Sequence, residues 1–221
     1  MARRVLVNGR IADKSGRSVD TDDEIRIIAP EHPWVGRGGM KLAHALEQFH
    51  IDVSGKICAD IGASTGGFTD VLLKNGAARV YAIDVGYGQL DASLRNDPRV
   101  LVREKVNARF LEASDFAEPI EFVCIDVSFI SLKLILPAVA KFLRGELVAL
   151  IKPQFEVGKG EVGKGGIVRD DAKRAAAVES VVQFARESGF DVRGVIESPV
   201  TGAEGNVEFL MNAEFRISNS E

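Results

Sequence analysis

Asp60–Ile61–Gly62–Ala63–Ser64–Thr65–Gly66–Gly67–Phe68 decides how this chain folds. The lead-in Lys56–Ile57–Cys58–Ala59 reads as a buried strand. Small residues then make a turn, and Phe68, Val71 and Leu72 fall at helical spacing before a stop at Asn75–Gly76. Strand, glycine turn and helix together offer bare backbone and a helix N-terminus to a nucleotide-like ligand. The spacing is not G-x-G-x-x-G, and no Lys-Ser/Thr pair follows the glycines to make a phosphate loop. A second strand, Arg79–Val80–Tyr81–Ala82–Ile83, ends at Asp84, whose carboxylate can accept from ribose hydroxyls. A flavodoxin-like turn without a ligand has the same outline.

Outward from this centre the pattern repeats. Val100–Leu101–Val102 is a third strand, and Phe122–Val123–Cys124–Ile125 a fourth that ends in Asp126. Glu146–Leu147–Val148–Ala149–Leu150–Ile151 is a fifth, delivering Lys152 at its end. Apolar runs closed by Asp60, Asp84 and Asp126 are the pattern of a parallel sheet buried on both faces, with the acids converging on the crevice at its carboxyl edge. Each acid taken singly is equally a helix N-cap. Ser131–Leu143 reads as a helix bent by Pro137, and a long helix runs from Asp170 or Asp171 through Ala185. Two strands, Val192–Ile196 and Asn206–Phe215, close the chain with no helix-length segment between them. Glu208 falls early in the last.

The 221 residues are 46% hydrophobic with a net charge of −4, enough for one core plus an appendage and no general polyanion binder. Residues 1–17 nevertheless carry Arg3, Arg4, Arg10, Lys14 and Arg17 against Asp13, which points to a polyanion contact confined to one face. Residues 1–29 are short strands around an Asn8–Gly9 turn, 30–36 are a linker marked by Pro30 and Pro33, and the larger domain spans 37–217. Lys41 stands in the first turn of an amphipathic helix (Leu42, Ala45, Leu46, Phe49), where a cation opposes the helix dipole and asks for a reason. Val157–Gly166 is a glycine-lysine loop carrying Lys159 and Lys164, a candidate lid or RNA-contacting flap. No run approaches the ~18 apolar residues of a membrane span, and Cys58 and Cys124 lack metal-type spacing. They read as buried, reduced thiols at similar heights on neighbouring strands, which points to the cytoplasm and to no metal.

The acid-Ile-Gly turn followed by an acid closing the next strand resembles the S-adenosylmethionine site of class I methyltransferases. That resemblance implies a Rossmann-like α/β fold, a seven-stranded sheet in the order 3-2-1-4-5-7-6 with the last strand antiparallel. It also implies S-adenosyl-L-methionine as cofactor, held by Asp60, Gly62, Ala63, Ser64, Gly66, Gly67, Phe68, Asp84, Val85, Asn107 and Asp126. Further stretches are Arg37–Gly38–Gly39–Met40–Lys41–Leu42, Asp84–Leu90, Asp126–Leu132, Lys152–Glu156 and Gly205–Phe209. Together they resemble the TlyA family, whose members carry the name hemolysin or act as ribosomal-RNA 2′-O-methyltransferases. Val7–Asn8–Gly9 and the strand after it resemble the second half of the α-L RNA-binding motif, whose first half, two short helices, has no counterpart before Val5. Gly36 and Val106 stand where the family usually has Ser and Thr. RNA contact is then expected at the five basic residues of 1–17 and at Arg37, Lys159 and Lys164.

The TlyA family in turn resembles the FtsJ-type methyltransferases, whose Lys-Asp-Lys-Glu set maps onto Lys41, Asp126, Lys152 and Glu208. A ribose 2′-hydroxyl is a poor nucleophile and must lose its proton as it attacks, so a lysine there serves either as general base or as a cation that steers the oxygen. The sequence leaves both roles open. It also leaves two rival classes: a membrane-active hemolysin, and an RNA-binding protein that holds the methyl donor without turnover.

Overall fold

The apolar runs on either side of the glycine turn become neighbouring parallel strands of a seven-stranded sheet. The computed structural model describes residues 5–12, 16–27, 32–158, 160–163, 165–202 and 205–215. They divide into two units, Met1–Pro33 and Trp34–Glu221, the division falling inside the 30–36 stretch.

In the smaller unit β1 (Val5–Val7), β2 (Arg10–Ile11) and β3 (Ile25–Ile27) form an antiparallel sheet in the order β2-β1-β3. Asn8 and Gly9 both take positive φ, as a tight hairpin requires. The Asn8 side chain then ties the turn to the Asp23–Glu24 segment, donating to Asp23 Oδ1 at 2.6 Å and accepting from Glu24 N at 2.9 Å.

The larger unit contains α1 (Gly39–Gln48), β4 (Ile57–Ile61), α2 (Gly67–Lys74), β5 (Arg79–Ile83), α3 (Ala92–Arg95) and β6 (Val100–Arg103). It continues with β7 (Ile120–Ile125), α4 (Leu136–Phe142), β8 (Leu143–Ile151), α5 (Pro153–Glu156), α6 (Asp171–Glu187), β9 (Phe190–Glu197) and β10 (Phe209–Phe215). The strand order is β6-β5-β4-β7-β8-β10-β9, and β10 runs antiparallel to both β8 and β9. This is the expected 3-2-1-4-5-7-6 sheet of a class I methyltransferase fold.

Alternation along the strands sorts the core into two layers. Cys58, Val80, Phe122, Cys124, Val148, Leu150 and Leu210 pack with α1 and α2 through Leu42, Leu46, Val71 and Leu72. Ala59, Ile61, Ile83, Val123, Ile125, Ala149 and Ile151 pack on the other face with α4 and α6 through Leu136, Val139, Val181 and Ala185.

Three local expectations need correction. The two free cysteines are buried but not level: Cys58 pairs with Phe122, and Cys124 with Asp60. β7 is displaced by two residues relative to β4, so Asp126 N donates to Ile61 O at 2.9 Å and Asp126 stands beside Gly62 rather than Asp60. The 131–143 stretch is not one helix, because a 3-10 turn over Leu132–Leu134 precedes α4 and Pro137 sits in the first turn of α4, where its missing N–H costs nothing. β10 begins at Phe209, leaving Asn206 and Glu208 ahead of it.

The displaced register makes Gly62 a steric requirement. Its φ is +88°, and a Cβ there would stand 2.2 Å from the Asp126 carbonyl oxygen. Gly62→Ala is expected to destabilise the fold by roughly 2 kcal/mol or more. Denaturant unfolding measures this, and an unchanged midpoint would show that the ends of β4 and β7 slide apart freely.

Candidate active site

The strand alternation that builds the core also aims the functional side chains. Leu150, Cys124 and Leu210 face α1, so Lys152, Asp126 and Glu208, each two residues along, face the same way at the carboxyl edge of the sheet. Lys41 reaches them from the first turn of α1. Its Nζ lies 2.5 Å from Glu208 Oε2, and both side chains are buried. That pairing is the reason a cation stands at the wrong end of the helix dipole. Lys152 Nζ lies 2.6 Å from Asp126 Oδ1 and donates to Ser128 Oγ at 2.9 Å. The Asp126 contact is an ion pair off the hydrogen-bonding angle, since Oδ1 meets no well-aligned donor. Pairing of Phe209 with Ile151 makes Glu208 and Lys152 neighbours across β10 and β8, and Gln154 Nε2 reaches Glu208 Oε1 at 3.5 Å. Gly202 packs so tightly on Glu208 that a Cβ would come 2.0 Å from Oε1.

Beside these pairs lies a cavity of about 440 Å³. Ile61, Ile83, Val106, Ile130 and Ile135 give it an apolar body, while Ser64, Asp84, Asn107, Asp126 and Ser128 supply polar groups. A second cavity of about 150 Å³ is lined by Gly38, Ala63, Thr65, Gly67 and Phe68. Gly62, Ser64 and Asp126 line both. Size, apolar lining and a few convergent polar groups are what a small-molecule site needs. Asp84 accepts from Ser64 N at 2.8 Å and Gly86 N at 2.7 Å, one bond to each oxygen, and a carboxylate so bound still has lone pairs for two hydroxyl donors. Bare backbone at Gly62, an acid at the end of the neighbouring strand and an apolar slot fit an adenosine-type cofactor.

Of the residues expected to hold it, Gly62, Ser64, Asp84, Val85, Asn107 and Asp126 line the larger cavity, and Ala63, Gly67 and Phe68 the smaller. Gly66 lines neither; at φ +96° it packs on Leu90 and Leu94. Asp60 lines neither cavity; it is wholly buried on the α2 face and accepts from Thr69 Oγ1 at 2.6 Å. Ser128 and Phe129 were not singled out from sequence, although Phe129 is 91% exposed at a positive φ of 64° and lines the larger cavity. Arg10, Arg17 and Arg37 are exposed. Arg3, Arg4, Lys14, Lys159 and Lys164 lie outside the described residues.

The pattern of the FtsJ-like methyltransferase family matches residues 34–215, the whole of the sheet and both ion pairs. The chain belongs to this family. Its relatives place it among TlyA-type members. It is 48% identical to the 16S/23S rRNA (cytidine-2′-O)-methyltransferase TlyA of Mycobacterium tuberculosis, over 95% of this chain and 80% of that one. It is 45% identical to Hemolysin A of Brachyspira hyodysenteriae, over 95% of this chain and 88% of that one. A solved structure of a hemolysin-named protein from Streptococcus thermophilus is 48% identical with a TM-score of 0.85, covering 97% of this chain and 80% of that one. S-adenosyl-L-methionine is the cofactor of this FtsJ-like enzyme.

The buried position of Asp60 has an electrostatic consequence of its own. Burial pushes its carboxyl from an ordinary 3.8 up to about 7; the Thr69 hydrogen bond opposes this and the Asp126 charge adds to it. Between those values the folded protein holds a proton that the unfolded chain has released. The stability this group contributes is therefore full below 3.8 and is lost as pH rises to about 7. Asp60→Asn should remove that loss, so the stability gap between parent and variant should favour the variant more at pH 8 than at pH 4.5. Denaturation at the two pH values checks it, and an identical gap at both would mean that Asp60 is charged throughout.

Proposed function

We propose that this chain methylates a ribose 2′-hydroxyl of ribosomal RNA, with Lys41, Asp126, Lys152 and Glu208 as its catalytic set. The observation that carries the reading is Lys152 held between Asp126 and Ser128 where Asp126 forms the cavity wall. S-adenosylmethionine, when bound, supplies a sulfonium methyl already activated for transfer, so the protein's task is to place and deprotonate the hydroxyl. The Lys152 amine donates to Ser128 Oγ and lies beside Asp126 Oδ1 as an ion pair. As the neutral amine, its nitrogen lone pair takes the hydroxyl proton. Asp126 then stabilises the ammonium that forms, and Lys41, anchored on Glu208, adds a cation where negative charge develops on the ribose oxygen.

An RNA substrate is supported by the loops around the larger cavity. Tyr87 is exposed with Lys105 Nζ 4.6 Å from its ring centre, and Phe110 is exposed with the Arg109 guanidinium 5.4 Å away. Exposed rings carrying cations suit splayed bases and phosphates of single-stranded RNA. Such a substrate places the work in the cytoplasm. Among the described residues no helix is long and apolar enough to cross a membrane, and no His/Cys/Asp/Glu group is arranged to hold a metal ion. Incubating the protein with labelled S-adenosylmethionine and ribosomal subunits, then digesting to nucleosides, tests the reading. The label is expected on 2′-O-methylribose; label on a base would overturn it.

A further inference from the structure

We infer that Glu156 is a positioning residue: its carboxylate clasps the loop after β7 and thereby holds Ser128 and Asp126 in their grip on Lys152. The inference deepens the catalytic reading above and rests on Lys152 being the reacting amine. Beyond the Lys152–Asp126 ion pair, the loops leaving the neighbouring parallel strands β7 and β8 are joined at three successive points. Lys152 Nζ donates to Ser128 Oγ at 2.9 Å. The Phe155 ring lies 5.2 Å, centre to centre, from that of Phe129. Glu156 then takes both remaining contacts, accepting from Ser131 Oγ at 2.5 Å on Oε2 and from Leu132 N at 2.8 Å on Oε1.

The first two points cannot fix the loop by themselves. Lys152 carries a flexible side chain, and Phe129 is almost wholly exposed in a left-handed backbone conformation that bulky residues disfavour. Such a conformation persists only where the surroundings over-determine it. The rigid points around it are Asp126, tied through its N–H to Ile61, and the Ser131–Leu132 turn, tied through both oxygens of Glu156. Ser131 passes the restraint on, since its Oγ also accepts from Lys133 N at 3.2 Å and opens the 3-10 turn. Ser128 lies between the two anchors. Without the clasp the segment 127–131 is free to relax Phe129, and Ser128 leaves Lys152.

Burial raises the Glu156 carboxyl above its usual range against the two hydrogen bonds, so a partly desolvated acid is kept here at a cost that the clasp accounts for. Gln can replace it in part: its amide oxygen still accepts from Leu132 N, and the Ser131 hydroxyl turns to accept from the amide.

The test uses the full chain with Glu156→Ala, Glu156→Gln and Ser131→Ala, read by amide hydrogen exchange over 127–135 and by single-turnover methyl transfer to ribosomal subunits. Glu156→Ala is expected to speed exchange in that segment at least about tenfold while β4 and β5 stay as protected as in the parent. Transfer at saturating donor and RNA should slow about 30-fold or more, and Glu156→Gln should recover both to within about fivefold of the parent. Should Glu156→Ala fold poorly, Ser131→Ala, which removes one of the two contacts, is expected to give an intermediate change in both. Unchanged exchange in a folded Glu156→Ala overturns the clasp whatever the activity, and fast exchange with a parental transfer rate overturns its link to Lys152. A Gln variant as slow as the Ala variant also overturns it. If the parent protein transfers no methyl group yet exchange responds as described, the catalytic reading falls and the clasp stands as a structural feature alone.

Discussion

Lys152→Ala is expected to lower single-turnover methyl transfer by about 100- to 10,000-fold, the range for loss of a positioned general base. Folding and donor affinity should stay near those of the parent, because Lys152 lines neither cavity and works on the acceptor. Lys152→Arg should fail almost as badly. A guanidinium keeps its proton at any accessible pH, and its planar fork does not reproduce the contact of one nitrogen with Asp126 and Ser128. Asp126→Ala should be less clean. It removes the partner of a largely buried cation and a wall of both cavities, so losses in stability and donor binding accompany the loss of rate. If Lys152 were instead part of a surface ion pair of small consequence, neither Lys152 substitution would alter turnover. Rapid-quench transfer with donor binding measured in parallel distinguishes the cases.

Asp84→Ala is expected to weaken S-adenosylmethionine binding by at least about tenfold. A hydrogen bond to a charged acceptor contributes on the order of 1.5–3 kcal/mol, and every 1.4 kcal/mol is tenfold in affinity. The structure adds a second reason for a large effect. Asp84 also receives Ser64 N and Gly86 N, so its removal loosens the glycine turn and the Val85–Gln89 loop that line the cavity. Asp84→Asn separates the two contributions: it keeps one backbone contact but loses the charge, and should fall between parent and Ala. Titration calorimetry giving parental affinity in Asp84→Ala would remove the acid from the cofactor site.

The sheet was legible because its signals are local. Continuous apolar runs closed by acids mark parallel strands, and two strands without a helix between them force an antiparallel partner at the end. The Lys41–Glu208 and Lys152–Asp126 pairs bring together the residues that the family resemblance assigned to the site. What escaped sequence reading depends on register and on contacts between loops. Asp60 closes an apolar run in the sequence as Asp84 does, but β4 runs on through Ile61, so Asp60 lies inside the sheet between Ala82 and Cys124 and is buried against Thr69 of α2. The two-residue displacement of β7 separates Cys58 from Cys124. Ser128, Phe129 and Glu156 stand inside the quoted motifs, yet their roles arise only when the loops after β7 and β8 meet. The break between the 3-10 turn and α4 follows from Pro137 and from that meeting, and periodicity alone runs through it.

Methylation of a ribosomal-RNA ribose through the proposed Lys152–Asp126 centre leaves a mark that can be read in cells. The most direct test is a map of 2′-O-methyl positions in ribosomal RNA from cells with the gene, without it, and with the Lys152→Ala form restored at equal protein level. At least one position is expected to be methylated in the first, lost in the second and still missing in the third. Identical maps in all three, or full recovery with Lys152→Ala, would contradict this expectation.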